Sequence, residues 1–329
     1  MKLLVLNCHE AWVHQLGILD AELDIVVGLS GRYTREWDSR MRPLPRGARV
    51  ITMDEALASR TPYDGVVNHN ITDLLDTKAI DAPKLLVLHE TLEGRMAQQD
   101  ADFDAREMRA MLNSYLATVG GHAIAISRMK ARSWGVTHVV VHNYADPSAY
   151  PHSTLERASG VRVANHITSK RVFLAWDFHR EALDGLPVTL VGHNPDMPGV
   201  EPARDWDHLK ATLAEHRFFV HTADPRFEDG FNMAMMEAMA AGLPVLVNRH
   251  PTSIIEHGAT GFIADTPAQM RQHAETLLAD APLAREMGAA ARAWVERHHA
   301  PERFRVEFTR SLAEAQKKWA RRRRVSMAR

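Results

Sequence analysis

The chain has almost no cysteine, almost no net charge and no long hydrophobic run. Its one cysteine, Cys8, excludes an internal disulfide framework and a zinc site built from cysteines. A net charge of −1 gives the protein no general attraction to nucleic acid or to an anionic membrane. The apolar run at residues 3–6 is too short for a secretory signal or a membrane span. We therefore expect a cytoplasmic protein.

What the sequence does contain is a globular composition, with 45% apolar and 25% charged residues, in a length of 329 residues that suits two domains. Short apolar runs without alternation are typical of strands buried on both faces of a parallel sheet. Such runs occur at 3–6, 25–27, 65–67, 85–88, 123–126, 139–141, 188–191, 218–220 and 245–247. Helical stretches such as 105–117 and 266–278 lie between many of them. The pattern predicts a doubly wound α/β fold.

A change in composition at residues 143–160, rich in Pro, Ser and turn residues, predicts the linker between two domains. We place these domains at 1–150 and 151–303. A final helix over 304–329 is predicted by an apolar stripe at helical spacing, formed by Phe304, Phe308, Leu312, Ala315 and Trp319.

A basic cluster follows this stripe, formed by Arg321, Arg322, Arg323 and Arg324. Beside an apolar stripe such a cluster suits peripheral contact with an anionic membrane, here the inner membrane surface, or with nucleic acid. A solvated, frayed chain end is the plainer explanation, and the sequence favours it.

The most informative segment spans residues 225–247. It holds two acids eight positions apart, Asp229 and Glu237, separated by a Gly-Phe step and a run of helix formers. Because glycine tolerates unusual backbone angles, residues 229–231 predict a tight loop. Residues 232–241 favour helix, which Gly242 and the following proline end. The N–H groups at the start of this helix predict a seat for phosphate.

This segment closely resembles the loop–helix motif of the family 4 type of retaining glycosyltransferases (glycosyl transferases group 1), roughly Glu-Gly-Phe-Gly followed by Glu-Ala-Met-Ala and Gly-x-Pro-Val. The matching residues are Asp229, Gly230, Phe231, Asn232, Glu237, Ala238, Met239, Ala240, Gly242, Pro244 and Val245. Asp229 stands where Glu is usual, and Asn232 stands where a second Gly is usual. The resemblance implies the GT-B fold, in which two Rossmann-like domains face across a cleft and the final helix crosses back to the N-terminal domain.

The resemblance also implies the activity. A retaining, metal-independent enzyme would move a sugar from a nucleotide-diphosphate donor to an acceptor hydroxyl, with no cofactor besides the donor substrate. It implies catalytic roles for His89 near the sugar, Lys170 at the diphosphate and Asp229 at the donor hydroxyls. Glu237 would bind the ribose. The remaining donor contacts would come from Asn165, Arg171, Gly230, Phe231, Asn232 and Met233.

Several features depart from the family. Asn165 stands in the usual place of an Arg, so Arg171 or Arg226 would have to supply the missing cation. Residues 7–14 replace the usual Gly-rich loop, and their His9-Glu10-x-x-x-His14 pattern has one residue too many for a zinc-protease helix.

Other functions therefore stay open. These are a catalytically silent nucleotide-sugar-binding protein, a sugar-nucleotide epimerase, and a glycosyltransferase acting on modified nucleic acid. At the level of single residues, the two acids also suit a capped helix, Lys170 an exposed surface and His89 a hydrophobic core.

Overall fold

A computed structural model describes residues 1–32, 35–99 and 103–327, without the side chains of residues 326 and 327. The chain divides into two compact units, Met1–Asn143 with Glu302–Arg329, and Tyr144–Pro301. The first boundary coincides with the start of the turn-rich segment at 143–160, seven residues before the predicted limit of the first domain.

The first unit is built on a six-stranded parallel sheet in the order β3-β2-β1-β4-β5-β6. Its strands are β1 (Lys2–Leu6), β2 (Glu22–Val26), β3 (Ala48–Ile51), β4 (Gly65–Asn68), β5 (Lys84–Leu88) and β6 (His122–Ala125). Its helices before the boundary are α1 (Glu10–His14), α2 (Met53–Leu57), α3 (Ile71–Asp76), α4 (Leu92–Gln99), α5 (Ala105–Val119) and α6 (Arg128–Trp134). This strand order defines a doubly wound sheet, in which the order of successive strands reverses between β1 and β4.

The second unit holds a five-stranded parallel sheet in the order β11-β10-β9-β7-β8. Its strands are β7 (Arg157–Val163), β8 (Val188–Val191), β9 (His216–His221), β10 (Val245–Asn248) and β11 (Gly261–Ala264). Its helices are α7 (Trp176–Leu183), α8 (Trp206–Glu215), α9 (Met233–Ala241), α10 (Pro267–Ala279) and α11 (Ala281–His298). Here the strand order reverses between β7 and β9, so the predicted doubly wound α/β class is confirmed in both units.

Most differences from the predicted strands lie at sheet edges, and the exception is β7, a central strand whose sequence has no continuous apolar run. Residues 139–141 form no strand, because Val140 makes only an isolated bridge to Ala125 and Val139 is exposed. The edge strands β3 and β11 have no long apolar run and were not predicted. Both have only one neighbouring strand, so they are less buried than the central strands that the runs identified.

The final helix α12 (Pro301–Met327) packs on the first unit. Its predicted apolar stripe is buried at Phe304, Phe308, Leu312 and Ala315. Leu312 lies so close to β4 that a Cβ added at Gly65 would come within 2.5 Å of its Cδ1. The predicted return of the last helix to the N-terminal domain is confirmed. Among the residues described, no helix combines the length and the apolar character needed to cross a membrane.

Candidate functional site

The candidate site lies in the second unit, at the carboxyl ends of β7 and β9. These neighbouring strands flank the point where the strand order reverses, which is where open α/β sheets bind ligands. Asn165 and Lys170 lie in the loop after β7, and Asp229 to Asn232 lie in the loop after β9. The fold therefore brings the two predicted diphosphate-binding segments to the same edge of one sheet.

The helix α9 begins where its sequence predicts. Asn232 is its N-cap, with an extended backbone, and its side-chain oxygen accepts a hydrogen bond of 2.8 Å from the N–H of Met235. Gly242 ends the helix in the left-handed region at φ 88°. Within the described residues, the N–H groups of Phe231 and Asn232 make no hydrogen bond. These donors and the positive end of the helix dipole favour an anion here.

Gly230 is needed for space and not for a positive φ. Its backbone lies outside the left-handed region, but an added Cβ would come within 2.7 Å of the His250 ring. Its N–H donates a 2.8 Å hydrogen bond to the hydroxyl of Thr252, whose own oxygen lies 3.1 Å from Nδ1 of His250. Residues after β10 therefore hold the loop that carries Asp229.

Asp229 is deeply buried, with 1% of its surface exposed. Nε2 of His221 lies 3.4 Å from its carbonyl oxygen. Burial lowers the pKa of His221 to about 3, and burial also lowers the pKa of His250, which the nearby Asp229 partly offsets. Two imidazoles that are neutral at pH 7 thus lie beside the loop. A donor sugar can reach the carboxylate only if a neighbouring side chain or the loop moves.

Glu237 lies two turns along α9 and is also buried. Every residue of the helix from Met235 to Ala241 is buried, so α9 is not an amphipathic surface helix. An acid kept in such a helix needs polar partners, because burying an unpaired carboxylate is strongly unfavourable. This is compatible with the predicted ribose contact.

The loop after β7 is held by backbone groups of the loop after β8. The side-chain oxygen of Asn165 accepts a 2.8 Å hydrogen bond from the N–H of His193, and the N–H of His166 donates to the His193 carbonyl at 2.9 Å. His166 has a left-handed backbone at φ 55°. Asn165 therefore has a structural role in addition to its predicted one, and only its NH₂ group remains as a neutral donor.

Lys170 follows in the same loop and is half-buried. Its ammonium makes no hydrogen bond or ion pair with the described residues. Burial lowers the pKa of His166, and the positive charge of Lys170 and the neighbouring His193 lower it further. Lys170 is thus a cation without an acidic partner, close to two histidines that the sequence motif did not indicate.

The two arginines expected to replace the missing cation are both paired. Nη2 of Arg171 lies 2.5 Å from Asp177, and Nη2 of Arg226 lies 2.7 Å from Asp224. Both side chains are more than half exposed, so these ion pairs are weak individually. A diphosphate would have to compete with a carboxylate for either guanidinium.

A further arginine lies beneath the two loops. Arg162 on β7 is fully buried, and burial lowers its pKa to about 9. It donates to the hydroxyl of Thr222 at 2.7 Å and to the carbonyl of Leu174 at 3.0 Å. Arg162 therefore links the loop after β7 to the loop after β9. This link was not predicted, because no local sequence pattern indicates it.

His89 lies in the first unit, at the carboxyl end of β5. Its Nε2 is 2.8 Å from Nδ1 of His69, and both rings contact the buried ring of Trp12, with centroids 5.1 and 4.8 Å away. Burial keeps the pKa of His89 well below its ordinary value, so this side chain is neutral at pH 7. The residue as a whole is half-buried.

Comparison with known proteins relates part of the sequence to one family. Residues 184–280, which include the loop after β9 and all of α9, match the sequence model of the family described as Glycosyl transferases group 1. No curated protein sequence matches the chain.

Similar solved structures cover nearly the whole chain. Anabaena Alr3699/HepE, solved with UDP and glucose, has a TM-score of 0.69 at 14% identity, over 95% of this chain and 99% of that one. The sucrose-phosphate synthase of Thermosynechococcus elongatus has a TM-score of 0.64 at 13% identity, over 100% of both chains. A glycosyltransferase from Rickettsia africae has a TM-score of 0.65 at 14% identity, over 96% and 98%. The predicted GT-B fold class is confirmed.

Proposed function

We propose that the protein is a retaining glycosyltransferase that moves a sugar from a nucleotide-diphosphate donor to an acceptor hydroxyl. One observation carries the proposal: the start of α9, with two N–H groups that make no hydrogen bond to the described residues, adjoins the reversal point of a doubly wound sheet. This segment lies within the match to Glycosyl transferases group 1. The donor diphosphate binds there.

The positive charge at this place comes from Lys170 and from the N-terminus of α9. Both stabilise the negative charge that grows on the diphosphate as the sugar leaves. The neutral NH₂ group of Asn165 adds a hydrogen bond. Glu237 accepts hydrogen bonds from the ribose hydroxyls, since a carboxylate offers only acceptors. Asp229 and His89 contact the sugar, as the family resemblance implies.

The reaction exchanges one bond for another. The bond between the anomeric carbon and the diphosphate oxygen breaks, and the acceptor oxygen forms its bond on the face that the diphosphate leaves. The departing diphosphate oxygen takes the proton of the acceptor hydroxyl. The new glycoside therefore keeps the anomeric configuration of the donor, without a metal ion.

A second candidate is a nucleotide-sugar-binding protein without catalysis. It is favoured by the pairing of Arg171 and Arg226 with carboxylates, which leaves Lys170 as the main cation at the diphosphate. In this case a donor would bind but would not be turned over.

We also propose peripheral contact with an anionic surface through the basic end of α12. Arg321, Arg322 and Arg324 are exposed, whereas Arg323 lies over the ring of Trp319 at 4.9 Å. A cavity of about 420 Å³ between α5 and α12 is lined by Arg321, Arg322 and apolar side chains. Co-sedimentation with anionic vesicles tests this contact, and binding to nucleic acid in place of vesicles would favour the other partner.

The function is tested first by thermal shift against a panel of nucleotide sugars, beginning with UDP-glucose. A ligand that binds only the folded protein at 100 times its Kd adds about 2.7 kcal/mol of stability. Product analysis with the stabilising donor then separates the functions. A transferred sugar of unchanged anomeric configuration supports the proposal, binding without turnover supports the silent protein, and an altered sugar on the same nucleotide supports epimerisation.

Replacing Lys170 tests the assignment of the site. We expect Lys170→Ala to lower transfer about 10²- to 10³-fold, because it removes a donor aimed at developing charge. Lys317→Ala is the matched control, since Lys317 is an exposed lysine on α12 whose ion pair among the described residues is with Glu314. A loss of less than several-fold, or an equal loss in the control, would rule out Lys170 as the diphosphate contact.

A further inference from the structure

Three potential metal ligands meet at the carboxyl edge of the sheet in the first unit. Cys8 follows β1, His69 follows β4 and His89 follows β5, and these three strands are neighbours in the sheet. One ligand atom from each residue lies within 4.8 Å of the other two. The cluster adjoins the reversal point between β1 and β4, where a doubly wound sheet binds ligands.

The spacing of the cluster is close to what a zinc ion requires. Zinc lies about 2.0–2.3 Å from nitrogen and sulfur ligands, so tetrahedral ligand atoms lie roughly 3.3–3.7 Å apart. The maximum of 4.8 Å in the cluster therefore has to contract by about 1 Å. Rotation of side chains supplies a change of this size without moving the strands.

A buried ring nitrogen of His69 gives independent support for a bound ion. The residue is 6% exposed, and its Nδ1 shares a hydrogen bond with Nε2 of His89 at 2.8 Å. Its Nε2 is buried and has no hydrogen-bond partner within the described residues. Buried polar atoms are rarely left in this state, and an ion in the cluster would supply a partner. The hydrogen bond between His69 and His89 has to open when the ion binds, because a neutral His89 that accepts at Nε2 carries its proton on Nδ1 and has no lone pair left for a metal.

The surroundings suit a bound ion as well. The ring of Trp12 is buried and packs against both imidazoles, so it restricts their orientation and excludes water from one side. The ring of His9 lies 6.0 Å from that of His89 on another side. Such an outer shell holds ligands in place and raises metal affinity.

We propose that Cys8, His69 and His89 form a binding site for a borderline-soft divalent ion, of which Zn²⁺ is the best match to one thiolate and two imidazoles. Three protein ligands leave a fourth position open to water or to a small ligand. As the sulfur–zinc bond forms, the thiol proton of Cys8 passes to solvent. The consequence for catalysis rests on the proposed function: an ion that binds His89 removes it from the donor sugar and inhibits transfer.

The test uses the full chain after treatment with a chelator. Titration with Zn²⁺ should show one ion bound per chain, and Co²⁺ in its place should give the near-ultraviolet charge-transfer band of a cobalt–thiolate bond. Cys8→Ser should abolish that band, and both Cys8→Ser and His69→Gln should weaken zinc binding by more than about 10-fold. His14→Gln is the control, since the His14 ring contacts the carbonyl of Pro43 and lies outside the cluster.

The wild-type cobalt spectrum decides the matter even if a variant fails to fold. Absence of the thiolate band, or zinc binding that Cys8→Ser and His69→Gln leave unchanged, would overturn the proposal. Donor binding is measured separately on the metal-free protein. A failure of the metal site and a failure of the proposed transferase function are therefore distinguishable.

Discussion

Replacing Gly230 by alanine should disturb the loop that carries Asp229. The added Cβ would lie 2.7 Å from Cγ and Nδ1 of His250, where ordinary contacts begin at 3.4 Å. The groups must therefore separate by about 0.7 Å, the difference between these distances. Because the φ of Gly230 lies outside the left-handed region, the clash and not the backbone conformation sets the cost.

The expected loss of stability is about 1–3 kcal/mol, which is typical of overpacking at a well-packed position. The displaced loop should also bind the donor less tightly, since Asp229 and Phe231 flank the substituted residue. Melting temperature and donor titration measure the two effects on the same samples.

A double-mutant cycle with His250→Gly tests the cause. This substitution removes the ring and also the Cβ of His250, which would lie 2.8 Å from the added methyl group, so Gly230→Ala should cost at least about 1 kcal/mol less in the His250→Gly protein than in the wild type. Gly258→Ala is the control, because its added Cβ meets nothing within 4 Å, and it should show no coupling to His250. Equal costs of Gly230→Ala in both proteins would refute the packing argument.

Three further predictions concern stability. Asn232→Ala should cost about 1 kcal/mol in urea unfolding through loss of the N-cap, whereas Asn232→Gly should cost only a few tenths; equal costs would exclude the capping role. Burial raises the pKa of Glu307, but hydrogen bonds from His142 and Arg303 outweigh this effect and lower the pKa to about 2. This group is thus charged in the folded state at pH values where it is protonated when unfolded. Glu307→Gln should therefore cost at most about 3 kcal/mol at pH 7 and progressively less as the pH falls from about 4.3 toward 2, as urea titrations at several pH values would show. Burial lowers the pKa of His221 to about 3, so the unfolded chain binds its proton first, and stability should fall by about 1.4 kcal/mol from this residue alone by pH 5.5; His221→Gln should remove that part of the acid sensitivity.

The sequence predicts those parts of the fold that depend on neighbouring residues. The helix α9 and its two caps are contiguous, so Asn232 and Gly242 are recognisable without tertiary information. Most central strands are equally predictable, because burial on both faces favours an uninterrupted apolar run. The central strand β7 has no such run and is the exception. The edge strands β3 and β11 escaped prediction because they are covered less completely.

The candidate sites depend on residues that are far apart in sequence. Cys8, His69 and His89 come together only because β1, β4 and β5 are neighbours, and the strand order cannot be read from spacing. A single cysteine excludes a zinc site built from several cysteines, but it does not exclude a mixed site of one cysteine and two histidines. Likewise, His250 meets Gly230 only because the loops after β9 and β10 adjoin.

Some contacts in the loops after β7 and β9 could have been predicted from the sequence but were not. Arg226 pairs with Asp224 two positions away, and Arg171 pairs with Asp177 six positions away. The charges of these local pairs are visible in the sequence. They weaken the prediction that either arginine replaces the cation missing at Asn165.

The donor diphosphate is proposed to bind between the loop after β7 and the start of α9. Hydrogen exchange of the protein, with and without the nucleotide sugar that stabilises it most, tests this placement. We predict that bound donor slows exchange in peptides covering residues 165–171 and 229–236. Slowed exchange confined to other parts of the chain, with these two segments unchanged, would contradict the assignment.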